Sequence, residues 1–80
     1  MVRILFFAQM AVLAGTKTMQ WPVAVPQSES DFWEWLLEQN PAVSGMRGVC
    51  RLARNGEYLG EGELIAAGDE LAVIPPVSGG

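Results

Sequence analysis

Val2-Arg3-Ile4-Leu5-Phe6-Phe7-Ala8-Gln9 is the stretch from which the fold can be read. It is rich in β-formers and reads as a first strand. Val2, Ile4 and Phe6 project to one face, Leu5 and Phe7 to the other. A strand that is apolar on both faces needs cover on both. One helix covers only one face, so the second must be covered by the chain itself or by a partner. The counterpart of this stretch is Leu71 to Ile74 (LAVI), a continuous apolar run that reads as a buried central strand.

The residues between them supply the remaining elements. Met10 to Lys17 is a connection with Gly15 as a turn residue, in which Ala11 to Ala14 could make a single helical turn. Thr18 to Val25 (TMQWPVAV) reads as a second strand, with Met19, Trp21, Val23 and Val25 on one face. Pro22 cannot donate to a ladder, so this strand belongs at an edge or carries a bulge. It pairs most simply antiparallel to the first. Ser28 is an N-cap with Asp31 in capping-box position, and Asp31 to Gln39 (DFWEWLLEQ) is a helix. Phe32, Trp35, Leu36 and Gln39 share one side of it, widened by Trp33 and Leu37. The tryptophans read as core and core margin. Asn40-Pro41 ends the helix.

Ala42 to Gly48 is read as a loop and Val49 to Arg54 as an alternating strand, with Cys50 on its apolar side. Asn55-Gly56 is a hairpin turn. Tyr58 and Leu59 form a short return strand, and Gly60 to Gly62 and Ala66 to Asp69 supply turns. The expected fold is α+β: a mixed sheet of about five strands with one main helix across one face, and the first and last strands in the middle. That is a ubiquitin-like β-grasp layout over residues 1–74, followed by an extended tail over 75–80.

Composition narrows the function. Eighty residues make one domain, half of them hydrophobic, and three tryptophans supply large buried area. A mean hydropathy of +0.22 with few charges hints at apolar surface meant for a partner. The net charge of -4 argues against nucleic acid. There is no histidine, which removes the commonest general base and metal ligand, so no metal site is expected. Cys50 is the one cysteine; it reads as a buried structural thiol in a reducing, cytoplasmic setting. No apolar stretch approaches the length of a membrane span.

The tail is Pro75-Pro76-Val77-Ser78-Gly79-Gly80. Two prolines force an extended exit. Six residues reach roughly 20 Å when extended. Gly79 and Gly80 carry no Cβ and can thread a narrow channel. This suits acyl chemistry at the Gly80 carboxylate inside another protein's pocket.

On Leu5-Phe6-Phe7-Ala8-Gln9, the Gly15-Thr16 turn, Gly68-Asp69-Glu70 and the Pro-Pro-Val-Ser-Gly-Gly tail, the chain resembles the small-subunit family of molybdopterin synthase, ubiquitin-like sulfur carriers. The likeness covers nearly the whole length, but from Trp21 to Glu63 it is one of pattern only. The resemblance implies that a separate ATP-dependent, E1-like enzyme adenylates Gly80, that sulfur replaces AMP to give a thiocarboxylate, and that the chain docks on a large catalytic subunit. Its sulfur then helps convert cyclic pyranopterin monophosphate into the dithiolene of molybdopterin. By similarity, Gly79 passes the channel, and Phe7, Tyr58 and Ile74 meet the large subunit. No nucleotide motif is present, so ATP belongs to the activating enzyme and the chain itself binds no cofactor. The alternatives are a carrier for thiamine or cysteine synthesis, a ubiquitin-like protein modifier, and a plain interaction domain.

Overall fold

The computed structural model describes residues 1–76; the expectations placed on Val77, Ser78, Gly79 and Gly80 lie outside the described residues. The chain runs β1 (Val2–Phe6), α1 (Gln9–Ala14), β2 (Thr18–Trp21), α2 (Glu29–Gln39), a 3-10 helix (Pro41–Met46), β3 (Arg51–Arg54), β4 (Glu57–Tyr58) and β5 (Glu70–Ile74). The strands form one five-stranded sheet in the order β2-β1-β5-β3-β4. β1 and β5 are parallel and central, and the other pairs are antiparallel. The expected α+β sheet, its central pair and the edge position of the Pro22-terminated strand are all present.

Side-chain alternation decides which face is covered. Val2, Ile4 and Phe6 of β1 are buried, as are Leu71 and Val73 of β5 and Leu52 of β3. They join Phe32, Trp33 and Leu36 of α2, Met10 of α1, and Val43 and Met46 of the 3-10 helix in one core. Phe32 lies edge-on to Trp21 and Trp33, at ring-centroid distances of 5.5 and 5.4 Å. The Trp33 indole N–H has no acceptor among the described residues.

Several element boundaries differ from those read in the sequence, each for a local reason. The first strand stops at Phe6 rather than Gln9. Ala8 takes φ 50°, ψ -130°, which turns the chain so that α1 starts at Gln9 and drives Met10 into the core. Such backbone costs about 1–3 kcal/mol and persists only where packing holds it. The second strand stops at Trp21, because Pro22 follows. α2 starts at Glu29, immediately after its cap. Trp33, expected at the margin, is at the centre of the core, while Trp35 is half-buried and stacks on Trp21 at 5.6 Å. The 42–48 loop is largely the 3-10 helix, because Val43 and Met46 have core to fill. β3 begins at Arg51 rather than Val49.

Two sequence signals form as read. Asn55 (φ 52°) and Gly56 (φ 89°) make the hairpin turn, with both residues at positive φ. Asn55 also donates its side-chain amide to Asp69 (3.0 Å) and accepts from the Glu70 N–H (2.9 Å), tying the hairpin to the start of β5. Ser28 and Asp31 form a complete capping box: the Asp31 N–H donates to Ser28 Oγ, and the Ser28 N–H donates to Asp31 Oδ2, both at 3.0 Å.

The capping box makes stability depend on pH. The Ser28 backbone N–H, and after it the Ser28 hydroxyl, hold the Asp31 carboxyl below its ordinary range. The Ala66 N–H, and after it the Asn55 amide, do the same for Asp69. A lowered folded-state value stabilises the fold fully above the unfolded pKa of about 3.9 and is lost as pH falls through the folded value. Unfolding midpoints should therefore hold from neutral pH to about 5 and decline below about 4. Ser28→Ala should remove about 1 kcal/mol at neutral pH but keep part of the acid decline, because the backbone N–H at position 28 still reaches the Asp31 carboxylate. Asp31→Asn removes the titrating carboxylate and should give a shallower acid decline in denaturant titrations; a decline as steep as in the parent chain would rule out the capping box as a source of it.

Candidate functional site

The face of the sheet opposite α2 carries no helix among the described residues, and the candidate interface residues gather there. Strand register sets them in rows. Leu5 pairs with Ala72, Ala72 with Ala53, and Ala53 with Tyr58, so one apolar row crosses four strands. The next row toward the end of β5 holds Ile74 and its partner Arg51. Phe7 comes level with them, because Phe6 is the partner of Val73. The opposite end of the face is polar: Arg3 pairs with Glu70, their charged groups 3.9 Å apart, and Gln20 flanks them. Hydrophobic character thus rises toward the end at which the chain leaves β5 for the tail.

Exposure follows the same pattern. Phe7 is 47% exposed and Tyr58 55%, large values for aromatic side chains, while Ile74 is half-buried. The Arg51 guanidinium lies 3.7 Å from the Tyr58 ring centroid, a cation–π contact that holds the ring over the face. Pro75 is buried and Pro76 exposed. All three interface residues named from the sequence therefore share one surface. Sequence reasoning missed the floor between them, Leu5, Ala72 and Ala53, and the Arg51 support. Period-two spacing from Phe7 to Leu5 and from Ile74 to Ala72 was the signal available for the floor.

A groove of about 340 Å³ borders this face where β1 ends. Leu5, Phe6, Phe7, Ala8, Ala11, Lys17 and Thr18 line it.

Among the described residues, no group of three or more His, Cys, Asp or Glu side chains could hold a metal ion. Cys50 is buried, and burial pushes its thiol up, away from the reactive thiolate. Gly68-Asp69-Glu70 is explained structurally: Gly68 takes φ 92°, Asp69 receives the Ala66 N–H at 2.8 Å, and Glu70 opens β5. Among the described residues, no helix is long and apolar enough to cross a membrane.

A family model described as the ThiS family matches residues 4–80. The chain is similar to small archaeal modifier protein 1 of Haloferax volcanii, 37% identical over 82 residues covering 92% of this chain and 94% of that protein. It is also similar to the molybdopterin synthase sulfur carrier subunit of Homo sapiens, 32% identical and covering 99% of this chain and 93% of that one. Among solved structures, the crystal structure of the Haloferax volcanii modifier protein matches with a TM-score of 0.83 at 36% identity, covering 99% and 98% of the two chains. The ubiquitin-like fold expected from the sequence is the fold of that neighbour.

Proposed function

This chain belongs to the ThiS family, and from that premise we propose that it carries sulfur, as a thiocarboxylate on Gly80, for molybdenum cofactor biosynthesis. An E1-like enzyme joins the Gly80 carboxylate to AMP from ATP, releasing pyrophosphate. A sulfur nucleophile then attacks the carbonyl carbon and AMP leaves. The loaded chain docks on the large catalytic subunit of molybdopterin synthase in a heterotetramer in the cytoplasm. The tail, Pro75, Pro76, Val77, Ser78, Gly79 and Gly80, enters the active site of that subunit. There its sulfur passes to cyclic pyranopterin monophosphate, two sulfurs completing each dithiolene. A carboxylate is a poor acyl donor, and adenylation supplies the leaving group. The partner supplies the acid–base groups and shields the thiocarboxylate from water.

The observation that carries this reading is the open sheet face, apolar toward the tail exit, on a chain 32% identical to a molybdopterin synthase sulfur carrier subunit. Intact mass after incubation with the activating enzyme, ATP and a sulfur donor tests it. One oxygen exchanged for one sulfur, followed by dithiolene formation with the large subunit, is the expected result. No exchange, with an activating enzyme competent on another carrier, overturns the carrier function. Exchange without dithiolene formation overturns the pathway alone and leaves a carrier for another one, such as thiamine or cysteine synthesis.

Phe7, Tyr58 and Ile74 are the proposed contact residues. Phe7→Arg places an unpaired charge in the middle of the contact. It should raise the Kd for the large subunit by roughly 30-fold or more, the scale of a lost hot spot. Calorimetry checks this, and an unchanged Kd removes Phe7 from the interface.

A second reading is favoured by the 37% identity to a protein named as a modifier. The same activated Gly80 carbonyl, met by an amine instead of sulfur, would give an isopeptide.

A further inference from the structure

We propose that Arg51 binds a carboxylate of the large subunit and so fixes the register in which the sheet face docks. The proposal rests on the carrier reading above and names a specificity-determining residue within its interface.

The charges of the face single Arg51 out. Three of the strand residues that share it are charged: Arg3, Glu70 and Arg51. Arg3 and Glu70 neutralise each other at the end away from the tail exit, 3.9 Å apart. The other ion pair among the described residues, Arg54 with Glu63, starts from the opposite face, because Arg54 alternates with Ala53 along β3. Glu57 alternates with Tyr58 in the same way and is also directed to that other face. Arg51 is therefore an uncompensated cation at the apolar end of the face, on a chain whose net charge is -4. Lys17, on the bordering groove, adds to the same sign. A partner that covers this end has to offer apolar surface with a negative group opposite Arg51, since a cation buried without one is costly.

The guanidinium is held ready for such a group. Its central carbon stands 3.7 Å from the Tyr58 ring centroid. Among the described residues, Arg47 donates to Ser30, and Arg54 donates to the Leu64 carbonyl and to Glu63, whereas the Arg51 side chain has no acceptor. Its contact with the ring leaves its N–H donors for the partner. Their fixed fork matches the two oxygens of a carboxylate. Resting on the ring also restrains a long side chain, so less rotamer freedom is lost when the pair forms.

Position gives the pair its consequence. Arg51 is the register partner of Ile74, the last residue of β5, about 4.8 Å away at one strand spacing. The chain leaves the sheet at that point. The apolar contacts of Phe7, Tyr58 and Ile74 supply attraction without direction. A forked ion pair beside the tail exit is directional, so it selects the orientation in which the tail meets the partner's pocket.

Calorimetry of the full chain with the large subunit tests this, using the parent, Arg51→Gln, Arg51→Lys, Tyr58→Ala and the double variant Arg51→Gln with Tyr58→Ala. Arg51→Gln should raise the Kd roughly tenfold or more. Arg51→Lys should fall between it and the parent, keeping the charge but not the fork. The gap between the parent and Arg51→Gln should narrow as salt rises from about 0.01 M to about 1 M, over which the Debye length falls from about 30 to about 3 Å. In the Tyr58→Ala background, Arg51→Gln should still weaken binding, because its contact with the partner is direct. Circular dichroism melts establish that each variant is folded; Arg51 and Tyr58 are both exposed and lie outside the core. A Kd for Arg51→Gln no different from the parent's overturns the proposal. A loss that vanishes in the Tyr58→Ala background overturns it too, leaving Arg51 as a support for the ring, and a gap unchanged by salt overturns the ion pair. In each of these results the parent chain still binds and the carrier reading stands. A parent chain that does not bind the large subunit overturns that reading and this proposal together.

Discussion

Deleting Gly80 should reduce sulfur loading below detection while leaving the unfolding midpoint unchanged. The deletion leaves a glycine carboxylate, now on Gly79, so the reactive group itself survives. What changes is reach: the tail becomes about 3.3–3.6 Å shorter. A misplacement of only about 1 Å at a reacting centre can cost about 100-fold. A carboxylate held short of the adenylating site by a full residue is therefore expected not to react. Gly80→Ala keeps the length but adds a Cβ, and it should load slowly rather than not at all. The fold should be indifferent to both changes, because β5 ends at Ile74 and the sheet register is complete by that point. Intact mass measures loading, and denaturant titration measures stability. Undiminished loading of the shortened chain would show that the carboxylate position is not set by tail length.

Phe32→Ala should have the largest effect on stability. Phe32 is fully buried and touches Trp21 and Trp33 edge-on, with Trp35 at 6.4 Å. Truncating such a ring costs about 3–5 kcal/mol, from lost burial and the cavity left behind. A domain of this length has roughly 4–12 kcal/mol in total. The variant should therefore be close to unfolded, or melt roughly 12 °C or more below the parent chain. Trp35→Ala, at a half-buried position, should cost clearly less. Circular dichroism melts compare the two. A Phe32→Ala loss under about 1 kcal/mol would mean that α2 does not pack as described.

Much of this arrangement was legible along the chain because its signals are local. Ser28 and Asp31 lie three positions apart and form their cap without help from elsewhere. Asn55-Gly56 specifies positive φ at two adjacent positions, which the hairpin turn requires. Pro22 excludes β2 from the interior of a sheet by removing a donor. The apolar weight of Val2–Phe6 and Leu71–Ile74 points to the centre of the sheet, because such strands must be covered on both sides by neighbours. Where the sequence misled, a distant contact outweighed local preference. α1 begins at Gln9 because Met10 has core to enter, and 41–46 winds into a 3-10 helix because Val43 and Met46 do. Trp33 rather than Trp35 reaches the centre of the core because the direction of α2 across the sheet selects one side of a broad apolar stripe.

The sequence by itself determined the strand inventory, the cap, the hairpin, the β-grasp layout and the Gly-Gly tail. The tertiary structure alone decided which side of β1 faces the helix. Alternation with period two divides Val2, Ile4 and Phe6 from Leu5 and Phe7, yet it is unchanged if the strand is turned over. That symmetry is broken only when β1 pairs with β5 from the other end of the chain and α2 crosses one face. The same pairing aligns Leu5, Ala72, Ala53 and Tyr58 into one apolar row, and the return of β2 places Lys17 beside Phe6 at the groove. These neighbours lie far apart in sequence, so no window along the chain contains them.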